Sequence, residues 1–283
     1  MKLKELYKSN KPTISFEVFP PDGCEKLKNL CDEITILEKF NPAFISLTYG
    51  AGGKNSGELK HVLETLHKNF QTEIMPHFTC MCSSKSFIDE NLEFLKSIGT
   101  ENILALRGDK PVDGNITCTD FCYANELVKY LKEKTNFSIA VAGYPEGHIE
   151  AATLENDINN LKKKIDEGAD AIFTQLFFEN EKFYQYREKL VQKGITTPVI
   201  AGIMPIFSLQ QLNKMTSLAR ITVPENFLRK IQQRENDKTY IKNLGIEFAI
   251  SQCEDLLKNN VKGLHFFTLN KSYSTAEILK NIQ

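Results

Sequence analysis

Short apolar runs rich in β-branched residues alternate with longer amphipathic stretches along the whole chain, and this alternation limits the possible folds more than any other feature. Each run is bounded by Gly, Pro or Asn, as expected of strands that end in turns. Several runs are almost continuously apolar, which is typical of parallel strands covered on both faces. The predicted strands are 13–18, 43–48, 73–79, 102–107, 138–143, 170–176, 198–203 and 263–268.

Eight strand–helix units favour a closed barrel over a doubly wound open sheet. Both architectures belong to the α/β class, but eight units in 283 residues match a (β/α)₈ TIM barrel better. Amphipathic patterns predict helices at about 85–97 and 153–167, the second followed by Gly168 as a C-terminal glycine. An extra helical segment at 224–260, which we interpret as two consecutive helices, precedes the last strand. Since no linker is visible, we expect a single domain over residues 1–283.

Composition and charge argue against several classes of partner. The formal net charge is -1, so no large basic surface is available and nucleic acid is not expected as a partner. No run approaches the ~20 consecutive apolar residues that span a bilayer, and residues 1–7 carry charges without an apolar signal core. Seven scattered cysteines fit reduced thiols better than a disulfide framework. We therefore expect a cytoplasmic enzyme or binding protein without a membrane partner.

Polar side chains recur where the apolar runs end. In a (β/α)₈ barrel the chemistry lies at the carboxyl ends of the strands and in the loops that follow them. Strand ends are naturally polar, so the fold alone accounts for part of this pattern, but together these residues mark a candidate site. They are Glu17, Thr48, His77, Arg107, Asp109, Tyr144 and Gln175.

Glu17 is the most informative of these residues because it lies within an apolar strand. Strand alternation places Glu17 on one face with Ser15 and Phe19, opposite to Phe16 and Val18. Burial disfavours the charged form of a carboxyl group, so Glu17 could stay protonated and act as an acid near neutral pH. The alternative is a structural ion pair, although glutamate is seldom fully buried without a reason.

The end of the fourth strand suits a phosphate-bearing ligand. Arg107 can hold a phosphate through its planar guanidinium group, and Gly108 permits the close approach of a flat ligand. Asp109 then stands at the mouth of the barrel. The alternative is a surface turn in which Arg107 and Asp109 form a local ion pair.

The helix at 153–167 carries a second candidate pattern. Asp157, Asn160 and Lys164 recur at i, i+3 and i+7, so they share a face that differs from the apolar one. Such a row could bind the ribose and pyrophosphate of a nucleotide. A solvated helix face is the more frequent explanation for rows of this kind.

Other motifs do not support a site. The glycine-rich segment 50–55 lacks the third glycine of the dinucleotide fingerprint and has Asn55 where a P-loop requires Ser or Thr. We interpret it as a flexible loop. The segment 77–82 holds His and Cys side chains, but no second cluster completes a tetrahedral metal site, so no metal is expected. No Gly-x-Ser-x-Gly motif indicates a hydrolase.

Eight short motifs, taken in order, resemble the methylenetetrahydrofolate reductase family. The match spans residues 13–273, and the ordered set is far more specific than any single motif. The motifs are Ser15–Pro21 (SFEVFPP), Thr48–Ala51 (TYGA), Pro76–Cys80 (PHFTC), Ala105–Asp109 (ALRGD), Gly143–His148 (GYPEGH), Thr174–Phe178 (TQLFF), Gly202–Pro205 (GIMP) and His265–Asn270 (HFFTLN).

The resemblance implies a catalytic barrel domain with non-covalent FAD that uses NADH or NADPH to reduce 5,10-methylenetetrahydrofolate to 5-methyltetrahydrofolate, which feeds methionine synthesis. It also implies a homo-oligomer. The residues that it implies for FAD are Thr48, His77, Arg107, Gly108, Asp109, Tyr123, Ala124, Tyr144, His148, Asp157, Asn160, Lys163 and Lys164. Those that it implies for the substrate are Glu17, Asp109, Gln175, Leu209 and Lys271, with Glu17 and Asp109 as the catalytic pair.

The implied mechanism is ping-pong. A nicotinamide stacks on the flavin, transfers a hydride and leaves, and the folate then takes the same face. Glu17 protonates the folate and helps to open its methylene bridge to an iminium ion, which accepts the hydride. Asp109 tunes the flavin potential and orients the folate, while the amide of Gln175 suits the pterin edge.

Three residues depart from the family pattern. Leu209 stands where bacterial relatives often carry a phenylalanine that stacks on the nicotinamide, which leaves its part in that stacking open. Lys163 and Lys271 replace common arginines, which keeps the charge but loses the bidentate geometry. The choice between NADH and NADPH also stays open, because no ribose-reading motif is present.

Two alternative functions stay open beside the reductase. One is another barrel enzyme, such as a Schiff-base aldolase, although no predicted strand contains a lysine. The other is a non-catalytic flavin- or folate-binding protein, against which the position of Glu17 argues.

Overall fold

Eight parallel strands form a closed barrel in the order β1 to β8, and β1 pairs with β8 to complete it. The structure is a computed structural model that describes residues 1–9, 11–48, 56–109 and 120–283. The strands are β1 (Thr13–Val18), β2 (Phe44–Leu47), β3 (Ile74–Thr79), β4 (Asn102–Leu106), β5 (Ser138–Gly143), β6 (Ala171–Leu176), β7 (Val199–Ile203) and β8 (Gly263–Phe267).

The predicted strands are confirmed, with every boundary within one residue of the sequence-based one. The agreement has a physical reason. Barrel strands are buried on both faces, so the run of apolar residues and the run of paired backbone end at the same place. The glycine-rich segment 50–55, predicted to be a flexible loop, lies outside the described residues.

Helices follow each strand and cover the outside of the barrel. The two consecutive helices predicted at 224–260 are confirmed as α9 and α10, and Gly168 follows α6 with a φ of +106°. The helices are α1 (Leu3–Leu6), α2 (Cys24–Glu38), α3 (Ser56–Asn69), α4 (Lys85–Ser97), α5 (Ala124–Lys134), α6 (Leu154–Asp166), α7 (Asn180–Gln192), α8 (Leu209–Leu218), α9 (Glu225–Gln232), α10 (Lys238–Lys258) and α11 (Tyr273–Ile282).

The short helix α1, which the sequence did not reveal, closes the amino end of the barrel. Leu3 and Tyr7 are buried against side chains inside the barrel, among them Met75 and Leu104. The backbone N–H of Leu3 donates to Oδ1 of Asn102, the first residue of β4, at 2.8 Å. The closed amino end leaves the carboxyl end of the barrel as the place for a ligand.

Several absences hold for the described part of the chain. None of its helices is long and apolar enough to cross a membrane. No group of three or more His, Cys, Asp or Glu side chains there could hold a metal ion. The six cysteines in the described ranges are all free thiols.

Candidate functional site

Glu17 points into the interior of the barrel, as the alternation of strand β1 predicts. Its inward neighbour Ser15 is fully buried, whereas Phe16 and Val18 belong to the apolar core between the strands and the helices. The Glu17 side chain is 11% exposed. The backbone carbonyl of Glu17 accepts a hydrogen bond from Oγ1 of Thr268 at 2.7 Å, which fixes the end of β1 against the end of β8.

Two imidazole rings flank the Glu17 carboxylate. Nε2 of His77 lies 3.5 Å from Oε2 of Glu17, and Nε2 of His265 lies 3.7 Å from the same oxygen. Burial lowers the pKa of His77 to about 4, so His77 is neutral at pH 7. Its Nε2 has no hydrogen-bond partner among the described residues. A neutral ring with an open nitrogen beside a buried carboxylate can accept a polar ligand atom at this depth.

His265 is the neighbour of Glu17 that the sequence analysis missed as a site residue. Its Nδ1 lies 2.8 Å from Oγ of Ser15, and this hydrogen bond holds the ring in one orientation. The rings of Phe173 and Phe267 pack edge-on against it. The available signal was a polar side chain inside the apolar strand β8, the same signal that identified Glu17. The pairing of β1 with β8 across the barrel closure brings the two together.

Arg107, at the end of β4, pairs with a carboxylate other than that of Asp109, the partner considered from the sequence. Nη1 of Arg107 lies 2.6 Å from Oε2 of Glu150, in the loop after β5, so the local pair with Asp109 is not its main contact. Gly108 has a φ of +85°, and an added Cβ atom would lie 3.1 Å from Cβ of Thr79. This position therefore favours glycine on both conformational and steric grounds.

A groove of about 600 Å³ runs between the ends of β4 and β5, the start of α5 and one face of α6. It brings together most of the residues that the family resemblance implies for FAD. Nine of them line it: Arg107, Tyr123, Ala124, Tyr144, His148, Asp157, Asn160, Lys163 and Lys164.

The polar row on α6 faces this groove. Asp157 is 8% exposed, and burial raises the pKa of its carboxyl group. Lys164 donates from Nζ to the carbonyl oxygen of Ala142 at 2.6 Å, and burial lowers its pKa to about 8. Asn160 is exposed and accepts from Nζ of Lys163 at 3.2 Å. Since two members of the row are withdrawn from water, a solvated helix face does not describe it.

A smaller cavity of about 140 Å³ adjoins the groove and shares Arg107, Tyr144, His148 and Glu150 with it. The rings of Tyr144 and His148 meet edge-on at 4.8 Å between centroids, in the wall common to both. The smaller cavity also contains Asp109 and Gln175. Two of the predicted substrate residues therefore lie next to the predicted cofactor residues.

Other predicted site residues lie apart from these cavities. Leu209 is the first residue of α8 and packs against an apolar cluster of the β6, α9 and α10 region. Lys271 is exposed, with Nζ 3.7 Å from Oε1 of Glu33, and lines a separate surface groove of about 310 Å³. Thr48 is half-buried just after β2. The roles of these three residues, like those of all the predicted site residues, stay predictions.

The arrangement defines a class of protein. A closed (β/α)₈ barrel with ionisable side chains and cavities at the carboxyl ends of its strands is the architecture of the barrel enzymes. The family model described as methylenetetrahydrofolate reductase matches residues 2–283. The chain therefore belongs to the methylenetetrahydrofolate reductase family.

Individual relatives agree with this assignment. The chain is 36% identical over 274 residues to a 5,10-methylenetetrahydrofolate reductase of Buchnera aphidicola, covering 96% of this chain and 91% of the relative. It is 34% identical over 300 residues to methylenetetrahydrofolate reductase (NADH) 1 of Zea mays, covering 99% of this chain and 50% of that protein. The chain thus spans about half the length of the plant relative and most of the bacterial one.

Among solved structures, the chain is similar to an uncharacterized protein from Clostridium thermocellum that binds two copies of 5-methyl-5,6,7,8-tetrahydrofolic acid. The TM-score is 0.61, with 12% sequence identity, and the match covers 98% of this chain and 96% of the other. At this identity the similarity concerns the fold.

Proposed function

We propose that this protein reduces 5,10-methylenetetrahydrofolate to 5-methyltetrahydrofolate, with non-covalent FAD as cofactor and NADH or NADPH as electron donor in a ping-pong sequence. The observation that carries the proposal is that a groove lined by Arg107, Lys163 and Lys164 and the buried carboxylate of Glu17 lie at the same, carboxyl end of the barrel, in a member of this family. In this account the chain works in the cytoplasm as a homo-oligomer and supplies methyl groups for methionine synthesis.

The groove has the chemistry that FAD requires. Three cations line one cavity and suit a pyrophosphate: Arg107, Lys163 and Lys164. Arg107 also forms an ion pair with Glu150. Asp157 and Asn160 offer a carboxylate and an amide for ribose hydroxyl groups. Bound there, FAD would supply a two-electron carrier that accepts a hydride from one substrate and passes it to the next.

The contacts of Glu17 support a role as proton donor. Its carboxyl group lies inside the barrel, with Oε2 3.5 Å from Nε2 of His77 and 3.7 Å from Nε2 of His265. Its Oε2 would hold the proton that a nitrogen of the methylene bridge takes up as the bridge opens. His265, held by its hydrogen bond to Ser15, gives that oxygen a polar neighbour within an otherwise apolar barrel.

Asp109 and Gln175 share the smaller cavity, where they would orient the folate. Oε1 of Gln175 accepts from the backbone N–H of Leu176 at 2.9 Å, which fixes the plane of the amide. The Nε2 donors of that amide are then directed to a ligand acceptor such as the pterin edge. Leu209 and Lys271 would contact outer parts of the substrate.

The Schiff-base aldolase alternative has less support. None of the eight strands contains a lysine, so no amine stands at the position where that chemistry needs one. The half-buried Lys164 lies on α6, with its Nζ bonded to the carbonyl of Ala142.

The test follows the two half-reactions separately. The purified protein is loaded with FAD, and its visible absorption is recorded under anaerobic conditions after addition of NADH and then of methylenetetrahydrofolate. We expect the flavin bands to bleach with NADH and to return with the folate. A protein that binds flavin but shows neither change is a non-catalytic binder, and one that binds no FAD does not have the proposed function.

A further inference from the structure

The linker between α8 and α9 forms one wall of the smaller cavity. Nη2 of Arg220 donates to the carbonyl oxygen of Ile149 at 3.2 Å. The backbone N–H of Thr222 donates to Oε1 of Glu146 at 2.9 Å, and its hydroxyl group donates to the same carboxylate. These contacts join the linker to the loop after β5 and place the guanidinium group of Arg220 on the rim.

Arg220 forms no ion pair with a described carboxylate, although its charge reaches the buried Asp157 and opposes the rise in pKa that burial causes there. Glu146 and Glu150 line the same cavity, but within the described ranges Glu146 accepts from Thr222 and Glu150 pairs with Arg107, and neither forms an ion pair with Arg220. Its contact with Ile149 is to a neutral carbonyl oxygen and uses one of the five N–H donors of a guanidinium group. The remaining donors can bind an anionic group in bidentate geometry.

The rim around Arg220 also suits an organic ligand. Leu218 and Ile149 are 60% and 49% exposed, and both line the same cavity. Exposed apolar side chains beside a cation favour a molecule with an apolar or aromatic part that ends in an anion, over a free inorganic ion. Gln175 and Asp109 lie in the same cavity, where the proposed reaction occurs.

We propose that Arg220 forms a substrate subsite that binds the carboxylate or phosphate group of a molecule whose reacting ring lies near Gln175 and Asp109. The inference rests on the proposed function, because that function supplies two such molecules. A folate ends in glutamate carboxylates, and NADH and NADPH carry phosphates. The subsite therefore selects one of the two substrates through an anion remote from the reacting atoms.

The experiment measures binding rather than turnover. FAD-loaded oxidised protein is titrated in a calorimeter with folic acid and, separately, with NAD⁺, because neither ligand exchanges electrons with an oxidised flavin. The variants are Arg220→Gln, which removes the charge, and Arg220→Lys, which keeps the charge without the planar fork. Arg229→Gln is the matched control, since Arg229 is an exposed arginine of α9 that bonds to Asn226 and lines neither cavity.

We expect Arg220→Gln to weaken one of the two ligands by about tenfold or more, with Arg220→Lys intermediate and Arg229→Gln unchanged. FAD content should stay equal to that of the wild type in all variants. A rise in the Kd of folic acid alone identifies a carboxylate as the bound group, and a rise in the Kd of NAD⁺ alone identifies a phosphate.

Two results would overturn the subsite. In one, neither ligand is affected by Arg220→Gln; in the other, both ligands and FAD weaken together, as expected if Arg220 only supports the loop after β5. Either result leaves the proposed function standing if the wild type still completes both half-reactions. A wild-type protein that binds FAD and neither ligand contradicts both proposals.

Discussion

The two ends of the barrel differ in what surrounds their buried polar groups. At the amino end, Oδ2 of Asp170 accepts from Lys132, from Oγ of Ser138 and from the backbone N–H of Ile139, all at 2.8 to 2.9 Å. At the carboxyl end, Nε2 of His77 and Oγ1 of Thr79 are buried, and within the described ranges neither has a hydrogen-bond partner.

Each strand–helix unit therefore has an amino end that serves stability and a carboxyl end that serves function. At the amino end, bonded polar groups lie over a sealed apolar cluster, and the buried Oγ1 of Thr100, which has no partner within the described ranges, lines neither cavity of the site. Open donors and acceptors at the other end carry a cost in the ligand-free protein that a bound ligand can offset. We therefore expect substitutions at the amino end to change stability, and those at the carboxyl end to change binding and catalysis.

The largest effect should follow from Glu17→Gln at the carboxyl end. The amide keeps the size of the side chain but cannot deliver a carboxylic acid proton, so reoxidation of the reduced flavin by methylenetetrahydrofolate should slow by about 10²–10⁴-fold. Bleaching by NADH should be spared. Anaerobic stopped-flow absorbance separates the two rates.

The matched control is Glu277→Gln, which alters a half-buried glutamate of α11 that pairs with Lys280 at the surface, away from both cavities. Both of its rates should equal those of the wild type. Equal slowing of the two half-reactions in Glu17→Gln would indicate a general disturbance of the site instead of a lost proton donor.

At the amino end, Leu3→Ala should reduce stability without changing ligand binding. Leu3 is fully buried against side chains inside the barrel, so the cavity left by truncation should cost about 2–5 kcal/mol of unfolding free energy. Chemical denaturation measures the loss. Val191→Ala is the control, because Val191 is 65% exposed and should change stability by less than about 0.5 kcal/mol. A weakened affinity for FAD in Leu3→Ala would contradict the assignment of stability to the amino end and of ligand binding to the carboxyl end.

Lys164 gives a pH-dependent test at the carboxyl end. Burial lowers its pKa in the folded protein to about 8, below the ordinary 10.5, so the unfolded chain binds more protons between these values. Lys164 should therefore increase the unfolding free energy of the FAD-free protein as pH rises from about 8 towards 10.5. The increase should be about 1–2 kcal/mol after solvent screening.

Lys164→Met should remove that contribution, whereas Lys163→Met, which alters the exposed neighbour, should retain it. Denaturant unfolding at a series of pH values gives the comparison. If wild type and Lys164→Met follow parallel curves between pH 8 and 10, Lys164 is not held in a desolvated setting.

The smallest effect is expected from Ser15→Ala. Loss of the hydrogen bond to Nδ1 of His265 should cost about 1 kcal/mol, or roughly a fivefold slower folate half-reaction. A positioning role also predicts a shift in the pH profile of that half-reaction, and Ser15→Thr should restore the wild-type profile. A lower melting temperature with an unchanged pH profile would reduce Ser15 to a structural residue.

Regular features of the molecule could be predicted from the sequence because local patterns specify them. The eight strands follow from continuous apolar runs, and the shared face of Asp157, Asn160 and Lys164 follows from the helical period. The inward direction of Glu17 follows from strand alternation. These features depend on residues close together in the chain.

The rest could not be predicted, because it depends on closure of the barrel. Helix α1 is one turn long and has no period to detect. Ser15 and His265 are 250 residues apart and meet only because β8 returns beside β1. The partner of Arg107 is Glu150, 43 residues away in another loop, whereas the neighbouring Asp109 was the obvious choice.

Titration of the FAD-free protein with FAD tests the central claim most directly, since that claim places the cofactor in the groove at the carboxyl end. We predict one FAD bound per chain, an affinity about tenfold or more weaker in Lys164→Met, and an unchanged affinity in Leu3→Ala. Absence of FAD binding to the wild type, or equal weakening by the two substitutions, would contradict the account.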